Sequence, residues 1–272
     1  MRRTIRVGSV NYLNTKPLVE GLTDFAPEID LSFDLPSRLA DQLAAGDIDV
    51  GLIPVIEYFR GDNYTFIPNI AIASRGPVLS VTLFSREPWD RIRTVALDEG
   101  SRTSAALTQI LLTRRHGNEP EFQPLPIDTP AEELNTDAVL LIGDRAMRAC
   151  LPGFHYAYDL GWEWADWTGL PFVYAVWAVR EGVDLGPVEA AFTRAKAHGL
   201  ARSGAIAHRE APGQRVDPGY VRRYLANIIH YDLGPRELAG LRHYYALAAD
   251  LGLAPSGVDL VSYHRPHLVE SR

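Results

Sequence analysis

Short apolar runs alternate with helical patterns through the first half of the chain, the signature of an α/β fold with largely parallel strands. Ile5-Arg6-Val7-Gly8 reads as a strand feeding a polar turn, Ser9 to Thr15. Lys16 to Leu22 reads as a helix with Pro17 in its first turn, where a missing N–H is harmless. Leu31 to Leu35 alternates like a second strand. Ser37 is expected to cap the helix Arg38 to Ala45, and Gly46 to stop it. Asp49 to Pro54 is a third, buried strand ended by proline.

After the β-branched strand Leu79 to Ser85 the pattern begins afresh. Thr94 to Leu97 is a strand, Asp98-Glu99-Gly100 a turn, Ser101 to Arg115 a helix, and Ala138 to Ile142 a buried strand closed by Gly143-Asp144. The repetition predicts a second α/β lobe inserted into the first, with Phe172 to Val179 as the return path. The remainder is helical: Pro187 to Ala201, Pro218 to His230 and Pro235 to Leu251 each start with proline. Apolar residues at helical spacing, such as Tyr220/Tyr224/Ile228 and Leu238/Leu241/Tyr245, support those helices. The tyrosine-rich helices (Tyr220/Tyr224 and Tyr244/Tyr245) leave core packing or a homodimer face open. Two lobes joined by two crossing strands enclose a cleft, and ligands of open α/β sheets bind beyond the strands' carboxyl ends.

Composition narrows the chemistry. With 272 residues, 46% hydrophobic and 22% charged, the chain is no disordered segment. A chain of this length buries about 73% of its unfolded surface, enough core without staples. The net charge of −7 argues against nucleic acid or an anionic membrane as partner, so an anionic ligand must be held by local donors. A single cysteine, Cys150, makes neither an intrachain disulfide nor a thiolate zinc cage. Met1-Arg2-Arg3 is basic, but no apolar run follows that would make a signal peptide. No stretch approaches 18 apolar residues, and a cytoplasmic protein is expected. There is no dinucleotide fingerprint, P-loop, zincin helix or nucleophile elbow. His264 and His267 are spaced like metal ligands, but Pro266 breaks any helix between them and no third ligand is near, so neither metal nor cofactor is assigned.

Four segments carry candidate chemistry. Ser9 to Lys16 packs two amides, two hydroxyls, an aromatic ring and an ammonium into one turn after a strand, suited to an oriented polar ligand. The alternative is that Asn11 and Asn14 satisfy their own turn backbone. Ser101-Arg102-Thr103-Ser104 opens a helix, where free N–H groups and hydroxyls form an anion cradle or a plain N-cap. Ser74-Arg75-Gly76-Pro77 precedes the crossing and offers backbone N–H groups or Arg75 to the cleft, unless Arg75 is simply solvated. Phe154 to Trp177 holds nine of the chain's 26 aromatic residues, mostly for the core, with Asp159, Trp164 and Thr168 its best candidates for facing a ligand. The residues alone reach a two-lobed α/β binder of a small, polar, anionic metabolite, and periodicity does not separate carrier from enzyme.

Ser9 to Leu18 (SVNYLNTKPL), Gly46 to Pro54 (GDIDVGLIP), Gly76-Pro77-Val78 with Ser80-Val81, and Trp167 to Ala175 (WTGLPFVYA) resemble the chorismate dehydratases of the futalosine route to menaquinone. The resemblance spans roughly residues 4 to 251, and its first motif is the most specific. It implies an α/β, two-lobed periplasmic-binding-protein type II fold with an inter-lobe cleft and a helical C-terminal part. Residues 1–85 and 176–272 would form one lobe and 86–175 the inserted one. It implies a hydro-lyase that converts the chorismate dianion to 3-[(1-carboxyvinyl)oxy]benzoate and water without cofactor or metal. The resemblance and the residues together assign catalysis to Asn14, helped by Ser9 and Asn11, with the substrate's own enolpyruvyl carboxylate taking the ring proton. Substrate contacts are assigned to Tyr12, Thr15, Arg75, Gly76, Ser80, Thr103, Ser104, Asp144, Asp159 and Trp164. Two rivals are dihydroxynaphthoate synthase of the same route, whose opening turn reads differently, and a non-catalytic sensor domain.

Overall fold

The computed structural model describes residues 3–264; Met1, Arg2, Pro266 and His267 lie outside them. Three parallel strands, β1 (Ile5–Ser9), β2 (Ile29–Phe33) and β3 (Val50–Pro54), open the first lobe. The crossovers carry α1 (Lys16–Val19), α2 (Leu22–Phe25) and α3 (Pro36–Ala45), and α4 (Val55–Arg60) leads to β4 (Thr65–Ser74). The chain then builds the second lobe from β5 (Val81–Ser85), β6 (Thr94–Asp98), α5 (Arg102–Ile110), β7 (Glu121–Leu125), β8 (Ala138–Ile142), α6 (Gly143–Arg148), β9 (Tyr156–Asp159) and α7 (Leu160–Thr168). It returns as β10 (Phe172–Val179) and ends in α8 (Glu189–Ala201), α9 (Ser203–Gln214), α10 (Pro218–Arg223) and α11 (Pro235–Asp250).

The two sheets have the orders β2-β1-β3-β10-β4 and β7-β6-β8-β5-β9. Each combines three parallel strands with antiparallel ones: β10 is inserted antiparallel between β3 and β4, and β5 between β8 and β9. β3 and β8 are buried at every position, as their unbroken apolar runs require when helices cover both faces. The strand expected within residues 1–85 at Val81–Ser85 therefore belongs to the second sheet, and Phe172–Ala175 to the first. The crossings fall at residues 75–80 and 169–171, which corrects the limits 85 and 176.

Local chemistry explains the other departures. The helix expected over Lys16 to Leu22 splits because Gly21 adopts φ 72°, and α2 starts after it. Pro36 begins α3 with Leu35 as its unbonded N-cap, so Ser37 lies inside the helix instead of capping it, and β2 ends at Phe33. Ser101 does cap α5, its Oγ accepting from Ser104 N at 3.3 Å. α5 and α10 each run on into a π turn, at Leu111–Arg115 and Tyr224–Ile228. Tyr224 and Tyr244 are each 1% exposed and are core, whereas Tyr220 and Tyr245 are only partly buried, Tyr245 stacking on Phe59 at 4.3 Å.

One buried charge ties the first lobe together. Asp49 is fully buried and accepts from the Arg6 backbone N–H (3.0 Å) and from the guanidinium groups of Arg3, Arg6 and Arg180 at 2.9–3.2 Å. Burial alone would raise its carboxyl; the bonds from Arg6 and Arg180 together outweigh that and bring it down to about 2.

Candidate active site

A cavity with about 570 Å³ of non-atom space, partly continuous with solvent, lies between the lobes. The first lobe contributes the turn after β1 (Val10, Tyr12, Asn14, Thr15), the end of β3 at Pro54, and Tyr174 and Ala175 of β10. The second contributes Ser80 and Val81 at the start of β5, the first turn of α5, and Ile142-Gly143 at the end of β8. The carboxyl ends of β1, β3 and β8 thus converge on it, as strand ends do in open α/β sheets. None of the residues described as lining it carries a formal charge at neutral pH.

The β1 turn is held in shape from both sides. Thr15 Oγ1 donates to Tyr12 O at 2.9 Å and also to Val10 O, closing the turn on itself. Leu13 N donates across the cleft to Asp144 Oδ1 at 3.2 Å, and Gln214 Nε2 donates to Asp144 Oδ2 at 2.7 Å. Burial pushes the Asp144 carboxyl up, against the pull of those bonds and of Arg148 and Lys16. The Tyr12 ring packs over Gly143, and burial keeps its phenol neutral. Asn14 Oδ1 is buried without a partner among the described residues. Behind it stands Tyr224, whose hydroxyl donates to Ser80 Oγ at 2.8 Å and is also acted on by the Asn14 amide.

The opposite wall is the start of α5. Ser101 Oγ and Ser104 Oγ pair at 2.7 Å, and Thr103 Oγ1 accepts from Ile56 N at 3.2 Å, joining the lobes again. The N–H groups of Arg102 and Thr103 occupy the first two helical positions, which have no acceptor within a helix. The Arg102 guanidinium turns outward to Asp41 (2.8 and 2.9 Å) and Glu57 (3.2 Å). What faces the cavity is a seat of neutral donors at the positive end of a helix dipole, suited to one carboxylate.

Of the residues singled out in the sequence, Tyr12, Asn14, Thr15, Ser80, Thr103 and Ser104 meet in this cavity. The others are placed elsewhere. Asn11 is exposed, its Oδ1 accepting from Lys16 Nζ at 2.6 Å, and it is not among the residues described as lining the cavity. Ser9 is fully buried at the end of β1, its Oγ without a partner, and is not part of the lining. Arg75 is exposed and its Nε binds Glu237 Oε1 at 2.9 Å, while the Gly76 carbonyl accepts from Ser74 Oγ at 3.1 Å. Asp144 grips Leu13 and Gln214 as described. Asp159 accepts from Val78 N (3.0 Å), Leu79 N (2.7 Å) and Trp162 N (3.0 Å), pinning a crossing and capping α7. Trp164 is fully buried and donates Nε1 to Pro171 O at 3.1 Å, and Thr168 Oγ1 bonds Trp164 O at 2.8 Å at the end of α7. Ser101, part of the cradle read at the start of α5, also lines the cavity, while two contributors went unread because they look like ordinary core aromatics: Tyr174 in the lining, and Tyr224, which bonds Ser80.

The chain matches the family model for menaquinone biosynthesis over residues 5–250. It is 33% identical over 238 residues to a chorismate dehydratase of Thermus thermophilus, covering 80% of this chain and 85% of that one. Against a chorismate dehydratase of Campylobacter jejuni the identity is 24% over 254 residues, covering 91% and 99%. Among solved structures, a protein of Archaeoglobus fulgidus superposes with a TM-score of 0.72 at 19% identity, over 92% of this chain and 98% of that one. The periplasmic aliphatic sulphonate binding protein of Escherichia coli does so with a TM-score of 0.69 at 17% identity, over 100% and 96%. These structural likenesses show a two-lobed periplasmic-binding-protein fold.

Proposed function

The chain belongs to the menaquinone biosynthesis family, and from that membership we propose that it is a chorismate dehydratase, converting chorismate to 3-[(1-carboxyvinyl)oxy]benzoate and water. The observation that carries this reading is the 33% identity to a chorismate dehydratase over most of both chains. The cavity adds chemical support: its neutral donors suit a small dianion, and the first turn of α5 offers one carboxylate about 0.3–1 kcal/mol from the helix dipole. The reading sets the protein on the futalosine route and in the cytoplasm, because a dianion does not cross a bilayer unaided.

In the reaction a ring C–H bond breaks and its electron pair becomes a ring double bond. The neighbouring C–O bond breaks toward oxygen, and hydroxide takes up the proton as water. Aromatisation supplies driving force, so the protein's work is positioning and stabilising charge on the departing oxygen. No carboxylate or histidine is among the residues described as lining the cavity, which supports the substrate's enolpyruvyl carboxylate as the proton acceptor. Asn14, with a free buried amide oxygen, accepts from the ring hydroxyl that leaves and so orients it, while Thr103 and Ser104 hold the ring carboxylate.

Incubation with chorismate, followed by mass spectrometry, should give a product lighter by one water. Tight binding without product would instead favour a sensor, and neither binding nor product would favour the other enzyme of the route. Asn14→Ala should lower turnover by about 10²-fold or more while chorismate affinity changes little; unchanged turnover removes Asn14 from the mechanism.

A further inference from the structure

Tyr224 lies in the first lobe's helical part, far in sequence from the β1 turn and from α5, yet its hydroxyl bonds Ser80, a residue of the cavity lining. The ring is 1% exposed and begins the π turn Tyr224–Ile228, a helix irregularity that recurs at functional sites. Its Oη donates to Ser80 Oγ at 2.8 Å, and the Asn14 amide acts on the same hydroxyl. Ser80 and Asn14 both line the cavity.

One hydrogen-bond direction follows from the geometry. Ser80 Oγ, having accepted from Tyr224, has its own O–H left to donate.

We propose that Tyr224 is a positioning residue of the dehydration: its hydroxyl, by donating to Ser80 Oγ, turns the Ser80 O–H into the cavity. A donor is thereby set in fixed orientation toward the substrate without any charged side chain. The inference rests on the reading of chorismate given above.

The test compares Tyr224→Phe with Tyr231→Phe. Tyr231 is also buried, but its hydroxyl has no partner among the described residues and it is not among those described as lining the cavity. Tyr224→Phe should lower kcat by about 10–100-fold, with KM and the calorimetric chorismate affinity within about threefold of the unsubstituted protein. Tyr231→Phe should leave kcat unchanged, which separates positioning from general loss of a buried phenol. Should Tyr224→Phe fail to fold by its melting curve, Ser80→Ala decides: the same kcat-only loss supports the assignment, and full kcat overturns it. Full kcat in Tyr224→Phe, an equal loss in Tyr231→Phe, or a loss confined to KM also overturns it, while leaving the activity standing. An unsubstituted protein that does not dehydrate chorismate overturns the activity, and the assignment with it.

Discussion

Replacing Asp144 with alanine tests whether this carboxylate serves the substrate or the cleft. Its two oxygens are taken by Leu13 N and Gln214 Nε2, donors of the opposite lobe. Leu13 is 1% exposed, so its N–H is stranded when the acceptor goes, whereas Gln214 is half-buried and can turn toward water. A hydrogen bond to a charged acceptor contributes about 1.5–3 kcal/mol. Because burial disfavours the Asp144 charge, the lower part of that range, about 1.5–2 kcal/mol, is the reasonable expectation. At 1.4 kcal/mol per factor of ten, Asp144→Ala should reduce kcat/KM on chorismate by about 10–30-fold, through misplacement of the Asn14 turn. Asp144→Asn keeps an oxygen for Leu13 N, and a half-turn of the Gln214 amide brings its Oε1, now without a partner, to accept from the new amide. It should therefore stay within about threefold of the unsubstituted protein. Steady-state kinetics on both variants, with melting curves as controls, decide the matter. An Asp144→Asn protein as impaired as Asp144→Ala would refute this reasoning, since the charge itself would then be required; so would an unimpaired Asp144→Ala protein.

Thr103→Val removes a hydroxyl from the carboxylate seat and an acceptor for Ile56 N; KM for chorismate should rise about tenfold with kcat within about threefold, measured in the same assay. Asp49 titrates near 2 in the folded protein against 3.8 in the unfolded chain, so it contributes about 2 kcal/mol that is fully present above pH 4 and lost as pH falls toward 2. Urea denaturation at pH 5 and pH 3 should show about half of that loss, roughly 1 kcal/mol, and Asp49→Asn should remove this acid-sensitive component while lowering stability at pH 5. Gly161→Ala places a methyl 2.5 Å from Gly76 O and 2.8 Å from both Ser74 Oγ and Tyr174 Oη, so it should lower stability by about 1–3 kcal/mol, read as a drop in Tm.

The sequence announced those elements whose burial is uniform. The apolar runs of β3 and β8 could only be covered strands, and the Ser101 cap marked the start of α5. β4 went unread because Pro68 and Asn69, the latter at φ 61°, interrupt its pattern, and β7 because it is an exposed edge strand containing Pro124. The crossings were displaced because a β-branched strand looks the same in either sheet. In the site, the crowded β1 turn was legible from its polar density, though Asn11 faces solvent. Asp144 and Asp159 look like ligand contacts in a sequence, but protein donors occupy their oxygens: Leu13 N and the Gln214 amide on Asp144, backbone N–H groups on Asp159. Tyr224 gave the converse ambiguity: its helical spacing marks it as core, and it is core, yet its hydroxyl bonds Ser80 of the cavity lining.

The central place of β10 in the first sheet has a consequence for biosynthesis. Until residues beyond 172 leave the ribosome, β3 and β4 lack the strand that joins them, and each exposes an open edge to aggregation. The inserted lobe contains all five strands of its own sheet and reaches completion earlier, so it can template the return. The cavity shares the first sheet's dependence, since Tyr174 and Ala175 of β10 form part of its wall and it is incomplete without them.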